Sequence, residues 1–454
     1  MNRVEMRLLD IDKRKTTFEE VSLGYNKKEM LDEASRCLNC KNKPCVSGCP
    51  VNIDIPKFID FLKKDNVDGA YNVISESSLL PGICGRVCPQ ETQCEAKCIR
   101  GIKGESIAIG RLERYVADNA AKNFVFSESE GKAKIAIIGS GPSGLSCAGT
   151  LSTLGYDVTV FEAMHKFGGV LIYGIPEFRL PKTIVSEEIE KLEKLGVKFI
   201  KNVVFGKTID INDLIDEGYK AIFIGCGAGL PNFMGIPGEN LNGVYSANEF
   251  LTRVNLMKAS DERYDTPLGD LGDVVVVGGG NVAMDASRCA LRAKAKSVSL
   301  VYRRDFEQMP ARKEEVLHAQ EEGVNFNVLT NPCEILGDEL DNIVGVKCVK
   351  MELSAPDSSG RRRPVEIKNS QFIKKANTVI MAIGNNPNPL IKNITPAIKL
   401  NQKGCIEIDE NHMTSLPGVF AGGDIVTGAA TVILAMQAGK ESAYSIDKYL
   451  KNKL

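Results

Sequence analysis

The rhythm of hydrophobic and polar positions changes near residue 133. Before it, apolar residues recur at helical spacing. Met30, Ala34 and Cys37 follow the Asn26/Glu29 pair of a capping box, and Phe58, Ile59 and Leu62 follow Pro56, which the pattern places in a first helical turn. The repeat from Arg111 to Asp118 is helical too, so this region is predicted to be mostly α-helix. The polar stretch Ser127 to Lys132 reads as its exit linker. Beyond it, short β-branched runs end in glycine and alternate with helical patterns, which is how a parallel α/β sheet reads. KIAIIGSGPSG and DVVVVGGGNVAMD both begin this way. AIFIGCG (221–227) and TVIMAIG (378–384) repeat the strand-to-glycine step, and GVFAGGDIVTGAATVILAMQAGK closes the chain with a further strand, turn and helix.

The predicted fold class is therefore α/β, with two Rossmann-like nucleotide-binding domains preceded by an α-helical domain. The closing unit is too short for a domain of its own. The simplest topology returns it to the first sheet, with the second nucleotide domain inserted into the first. The predicted division is a helical domain over 1–132, a first nucleotide domain built from the two segments 133–250 and 383–454, and an inserted nucleotide domain over 251–382.

Composition narrows the class. A chain of 454 residues exceeds one core, and 43% apolar with 25% charged residues is that of a soluble globular protein. With 57 basic against 58 acidic residues and no strongly basic stretch, nucleic-acid binding by counterion release is not expected. No signal-peptide core and no apolar stretch of about 18 residues occurs, so the expectation is a cytoplasmic, unanchored protein. Fourteen cysteines in that compartment point to thiolates rather than disulfides.

Gly139, Gly141, Pro142, Ser143 and Gly144 follow one strand and open a helix. The glycines allow a tight turn and close approach to a pyrophosphate, and the helix N-terminus carries about half a positive charge. The next strand ends in Glu162, an acceptor for an adenosine ribose hydroxyl. The second turn, Gly278, Gly279, Gly280, Asn281, Val282 and Ala283, has alanine in the third place. Its following strand, Ser297 to Tyr302, ends not in an acid but in Arg303 and Arg304, which favours a 2′-phosphate and hence NADP(H). An acidic partner at one site and arginines at the other are what a flavoprotein taking hydride from NADPH requires, so FAD is assigned to the first turn. Gly168, Gly169 and Arg179 lie in the loop after Glu162 and are expected to reach the flavin nucleotide. Gly423 and Asp424 are expected to hold its ribityl or pyrophosphate group, and Ala430, Thr431 and Val432 to aim a helix N-terminus at the ring. Ala382 and Gly384, after the strand TVIM, join the predicted NADP set.

Eight of the cysteines lie between Cys37 and Cys98, spaced C-x2-C-x4-C-x3-C-P (Cys37, Cys40, Cys45, Cys49) and C-x3-C-x5-C-x3-C (Cys84, Cys88, Cys94, Cys98). Eight thiolates at ferredoxin-like spacing predict two [4Fe-4S] clusters. Structural zinc, which prefers paired C-x2-C hooks, fits less well, and a cysteine before proline warns that ligands of the two clusters interleave. The other six cysteines are isolated and read as small buried hydrophobes. With three histidines, no HExxH and no G-x-S-x-G, hydrolase chemistry is disfavoured, and no catalytic acid or base is needed for hydride transfer to FAD.

RCLNCKNKPCVSGCPVNIDIPKFI, PGICGRVCPQETQCEAKCIRG, VYRRD followed by MPARKEE, and FAGGD together resemble the small (β) subunit of NADPH-dependent glutamate synthase over nearly the whole chain. The arrangement is similar also to the N-terminal half of dihydropyrimidine dehydrogenase and to the large subunit of electron-bifurcating NADH-dependent ferredoxin:NADP+ oxidoreductase. CVSGCPVNIDIP looks nearest to the homotetrameric-type glutamate synthase chains and to that bifurcating subunit. The resemblance implies one cluster on Cys37, Cys40, Cys45 and Cys98. It implies the other on Cys49, Cys88, Cys94 and a side-chain oxygen from IAIGRLERY, which here is Glu113, with Cys84 spare or an alternative ligand.

The expected activity is NADPH oxidation: hydride passes to FAD, and single electrons pass through the clusters to a protein partner. That partner would be a glutamate synthase large subunit or, in the runner-up reading, the small flavoprotein of a transhydrogenase. Three domains use these residues, leaving none for a glutaminase or an FMN barrel. A homo-oligomer is compatible with the reading, nucleic acid and membrane are not expected as partners, and a non-enzymatic redox or metal sensor is the remote alternative.

Overall fold

The computed structural model describes residues 2–121, 131–356, 362–390 and 395–453. The N-terminal module is helical as the spacing predicts. Asn26 and Glu29 form a reciprocal capping box on the helix Lys27–Ser35, burying Met30 and Ala34. Pro56 lies in the first turn of the helix Ile55–Lys63, whose Phe58, Ile59 and Leu62 are buried, and Val67–Ser75 and Ile109–Asn119 are further helices of the module. Ser127 to Glu130, the core of the expected linker, lies outside the described residues, whereas Lys132 begins the first strand.

Two five-stranded parallel sheets follow. The first is built from β1 (Lys132–Ile138), β2 (Tyr156–Glu162), β3 (Lys198–Lys201), β4 (Ala221–Ile224) and β16 (Val419–Ala421), in the order β16-β4-β1-β2-β3. The second is built from β6 (Val244–Ser246), β7 (Asp273–Val277), β8 (Ser297–Tyr302), β9 (Asn325–Val328) and β14 (Thr378–Met381), in the order β6-β14-β7-β8-β9. The strands of the second sheet thus lie between β4 and β16 of the first along the chain. A small antiparallel sheet is appended to it by β10 (Thr330–Gly337), β11 (Ile343–Pro356), β12 (Arg362–Glu366) and β13 (Phe372–Lys375).

Two expectations are corrected. The second sheet does not begin at residue 251. β6 pairs in parallel with β14, and the two crossings between sheets, β5 (Leu230–Pro231) and β15 (Asn385–Asn386), pair with each other. A three-residue strand behind Gly243 is too short to announce itself by alternation. Nor do residues 1–132 form one helical unit. The segment Leu8–Ser22 leaves it and packs on the second nucleotide domain, with Val21 in that domain's core, its N–H donating to the Phe178 carbonyl, and Arg14 paired with Glu321.

The helices Pro142–Thr153 and Val432–Lys451 cross at backbone contact: a Cβ at Gly439 would collide with the Ser143 carbonyl, and Ser146 Oγ donates to the Met436 carbonyl at 2.8 Å. This contact ties the C-terminal segment to the first glycine turn.

Candidate functional site

The first glycine turn leaves β1 at Gly139, whose φ of +100° excludes a side chain without strain, and a Cβ there would lie 2.7 Å from the Gly225 carbonyl oxygen. Gly141 N-caps the helix Pro142–Thr153 and has open space beside it, while Gly144 lies tight against the Gly139 carbonyl. Glu162 ends β2 and holds the loops together. Its carboxylate accepts from the Ser140 N–H at 3.0 Å, from the Ser140 hydroxyl, and from the Met164 N–H at 2.9 Å. The Ser140 hydroxyl in turn accepts from the Gly168 N–H at 2.9 Å, and Gly169 lies over Gly141. The predicted glycines and Glu162 therefore meet at one turn. Ser143 is buried, its hydroxyl wedged between Gly225 and Gly423 rather than toward the opening at Gly141.

From the C-terminal segment, Gly423 brings Asp424 to the same turn. Burial pushes its carboxyl up to about 6, and the Ala430 N–H donates to it at 3.2 Å. Thr431 N-caps the twenty-residue helix that starts at Val432.

Arg179 is placed elsewhere. It is buried, and its Nη1 donates to both carboxylate oxygens of Asp285 at 2.7 and 2.6 Å, with Glu315 Oε1 3.2 Å from Nε. Asp285 stands on the helix Asn281–Arg292 of the second nucleotide domain. Arg179 is thus a buried interdomain ion-pair member, and its expected role toward the flavin is withdrawn.

In the second turn a Cβ at Gly278 (φ +144°) would strike the Ala382 carbonyl, so Ala382 backs the turn, and Gly279 lies against the Tyr302 ring. Gly280 N-caps the helix Asn281–Arg292. Ala283 is buried and Val282 exposed. Arg303 and Arg304 leave β8 beside it, Arg303 exposed and Arg304 with a buried Nε lacking any acceptor. Gly384 is not in the turn. It sits at the crossing, its carbonyl accepting from the Asn232 N–H at 3.0 Å.

All fourteen cysteines are free. Cys37, Cys40, Cys45 and Cys98 are half-buried around one small apolar cavity with Ile55, Pro56 and Ile59, and burial pushes the Cys45 thiol up to about 11. Cys49, Cys88 and Cys94 form a second, buried set with Glu113: burial raises the thiol pKa of Cys49 and Cys94, the hydrogen bond with Cys84 and then burial raise that of Cys88, and the charge of Glu113 adds to all three. Glu113 itself is fully enclosed. Burial and the charge of Glu188 lift its carboxyl to about 8, and its Oε1 has no hydrogen-bond partner. An enclosed carboxylate oxygen with no donor fits a metal ligand. Cys84 borders this set next to Cys88 and also touches Met436. Among the described residues no three His, Cys, Asp or Glu side chains are gathered tightly enough for a single ion, as a tetrahedral zinc at about 2.3 Å from each sulfur would require. Of the isolated cysteines, Cys147, Cys289, Cys348 and Cys405 are buried as expected, but Cys333 is half-buried and Cys226 exposed.

Sequence reasoning passed over Arg312. Its backbone N–H donates to Asn281 Oδ1 at 3.0 Å, and its guanidinium reaches Arg86, Gln90 and Glu91 of the cysteine module. The motif MPARKEE carries the resemblance without giving this residue a role, and only the fold shows its contacts with the cysteine module.

Two glycine turns with opposite ribose chemistry, joined to an eight-thiol module, define an NADPH-dependent flavin and iron–sulfur oxidoreductase. Residues 133–439 match the family model described as pyridine nucleotide-disulphide oxidoreductase, and residues 14–125 match dihydropyrimidine dehydrogenase domain II, 4Fe-4S cluster. The chain is 34% identical over 463 residues to the glutamate synthase [NADPH] small chain of Escherichia coli (strain K12), covering 99% of this chain and 98% of that one. It is 39% identical over 437 residues to the NADP(+)-dependent formate dehydrogenase subunit beta of Moorella thermoacetica, spanning 60% of that longer chain. FprA from Mycobacterium tuberculosis, solved in complex with NADPH, shares the fold with a TM-score of 0.60 at 21% identity, over 70% of this chain and 85% of that one. The protein belongs to the pyridine nucleotide-disulphide oxidoreductase family, in the group that includes the glutamate synthase small chains. No helix among the described residues is long and apolar enough to cross a membrane.

Proposed function

We propose that this protein oxidises NADPH and delivers the electrons to a separate acceptor protein, as the electron-input subunit of a glutamate synthase. The observation that carries the reading is the likeness to the E. coli small chain across 98% of that chain, with both glycine turns and all eight clustered thiols in place. Arg303 and Arg304 would hold the 2′-phosphate, and the Asn281–Arg292 helix would seat the pyrophosphate on its N-terminal N–H groups. The Gly139 turn, Glu162 and Asp424 would orient FAD, which when bound supplies the conversion of a two-electron hydride into single electrons. Cys37, Cys40, Cys45 and Cys98 would hold one [4Fe-4S] cluster, and Cys49, Cys88, Cys94 and Glu113 the other. The half-buried set faces the surface and the buried set faces the flavin domain, so the half-buried set is where a partner protein would collect electrons.

The test is anaerobic purification from native cells with identification of co-purifying chains. A large amidotransferase subunit establishes the reading. A small flavoprotein, with NADH-driven ferredoxin reduction coupled to the NADP(H) pool, replaces it with the bifurcating transhydrogenase. The likeness to a formate dehydrogenase subunit favours neither acceptor, because this chain spans only 60% of that relative.

A further inference from the structure

Arg312 stands between the second glycine turn and the buried thiol set. On one side the Ala311 N–H donates to the Gly279 carbonyl at 3.2 Å and the Arg312 N–H to Asn281 Oδ1 at 3.0 Å, so these two residues help to frame the turn. On the other side the guanidinium donates to the Arg86 carbonyl (3.0 Å), to Gln90 Oε1 (3.1 Å) and to Glu91 Oε2 (3.3 Å), three partners that bracket Cys88 in sequence. Gln90 carries the contact further. It is buried, its Nε2 donates to the Cys84 carbonyl at 3.3 Å, and its amide occupies the space where a Cβ at Gly110 would sit. Gly110 lies in the first turn of the helix that bears Glu113.

A nucleotide seated on the turn therefore presses on a frame whose next neighbours are two of the buried cluster's ligand segments. We propose that Arg312 is a positioning residue that couples occupancy of the NADP(H) site to the reduction potential of the cluster assigned to Cys49, Cys88, Cys94 and Glu113. The proposal rests on the cofactor assignment made above. Hydrogen bonds and ligand orientation around a cluster set its potential, so a shift of the Arg86–Glu91 segment is read there. Linkage makes the effect mutual: reducing that cluster changes the affinity for the nucleotide by the same factor. The planar guanidinium, shared among three acceptors of the cysteine module and the neighbouring Glu314 while the backbone N–H holds Asn281, makes the connection stiff, and a lysine cannot reproduce the fork.

The experiment is an anaerobic redox titration of the holoprotein followed by electron paramagnetic resonance, with and without tetrahydro-NADP, a dinucleotide that occupies the site but cannot transfer hydride. The potential of one cluster is expected to move when the nucleotide binds. A tenfold difference in nucleotide affinity between its two redox states corresponds to about 59 mV for one electron. Arg312→Lys and Gln90→Leu are expected to bind the nucleotide and to lose the shift. Gln90→Leu serves where the arginine variant fails to load its cofactors, because the hydrogen bonds of Gln90 go to the Cys84 carbonyl and to the Arg312 guanidinium rather than to the turn. Equal potentials with and without nucleotide in the parent, or an undiminished shift in either variant, overturn the proposal. Failure of the underlying reading looks different: NADPH added to the same sample beforehand would leave the flavin oxidised.

Discussion

The thiol sulfur of Cys84 lies 3.4 Å from the thioether sulfur of Met436. One belongs to the helix Pro81–Val87 of the cysteine module and the other to the helix Val432–Lys451 of the flavin domain, so the buried thiol set is fastened directly to the C-terminal segment. Cys84 packs on Met436 with the Ser78 hydroxyl 3.9 Å from its sulfur and the Cys88 thiol beside it, whereas Glu113 keeps an unpartnered oxygen. Glu113→Ala is expected to lose or alter one cluster, with iron falling by roughly half if that cluster is lost. Cys84→Ala is expected to retain both. Iron and sulfide analysis with low-temperature electron paramagnetic resonance reads the result, and the opposite pattern would make Cys84 the ligand.

At the nucleotide sites, Arg303→Ala and Arg304→Ala are each expected to reduce the preference for NADPH over NADH by roughly tenfold or more, since a charge-assisted contact contributes about 1.5–3 kcal/mol. The loss should fall in KM for NADPH, with NADH kinetics little changed. An unaltered ratio would remove both residues from the 2′-phosphate site.

Gly439 gives a packing test. Gly439→Val forces the helices Pro142–Thr153 and Val432–Lys451 apart at the Ser143 carbonyl, an overpacking that typically costs about 1–3 kcal/mol. Because the same helix pair fixes the first glycine turn, the flavin-to-protein ratio should fall with the melting temperature. A variant that melts early but keeps full flavin would separate the crossing from the site.

Much of this architecture was legible in the chain. The capping box at Asn26, the strand Ser297–Tyr302 and the glycine turns are local signals, written in a few consecutive residues, and the structure places them as the spacing predicts. What was not legible is long-range. Arg179 sits in a loop expected to face the flavin, and only the docking of the second domain puts Asp285 opposite it. Arg312 and the arm Leu8–Ser22 are likewise given their places by surfaces far away in sequence, and β6 is too short for any period to show.

Lys182 supplies a pH prediction. Its ammonium, at the start of the helix Lys182–Lys194, donates to the carbonyls of Leu171, Ile175 and Leu180, and burial pulls it down to about 7. Between pH 7 and about 10.4 the unfolded chain therefore binds the proton more tightly than the folded one, so this residue makes stability rise with pH across that window. Lys182→Met should melt below the parent throughout, because three carbonyls lose a donor, and its deficit should widen from about pH 7 to about pH 9.5. A deficit independent of pH would show that Lys182 stays charged when folded.

The central claim is that electrons enter from NADPH at the second glycine turn and reach both thiol sets through flavin at the first. The most direct measurement is an anaerobic titration of the purified, cofactor-loaded protein with NADPH, following flavin absorbance and the iron–sulfur signals together. The account predicts that the flavin bleaches with NADPH well before it does with NADH, and that paramagnetic signals of reduced clusters then appear. A colourless protein containing zinc, or a flavin that NADPH leaves oxidised, would contradict it.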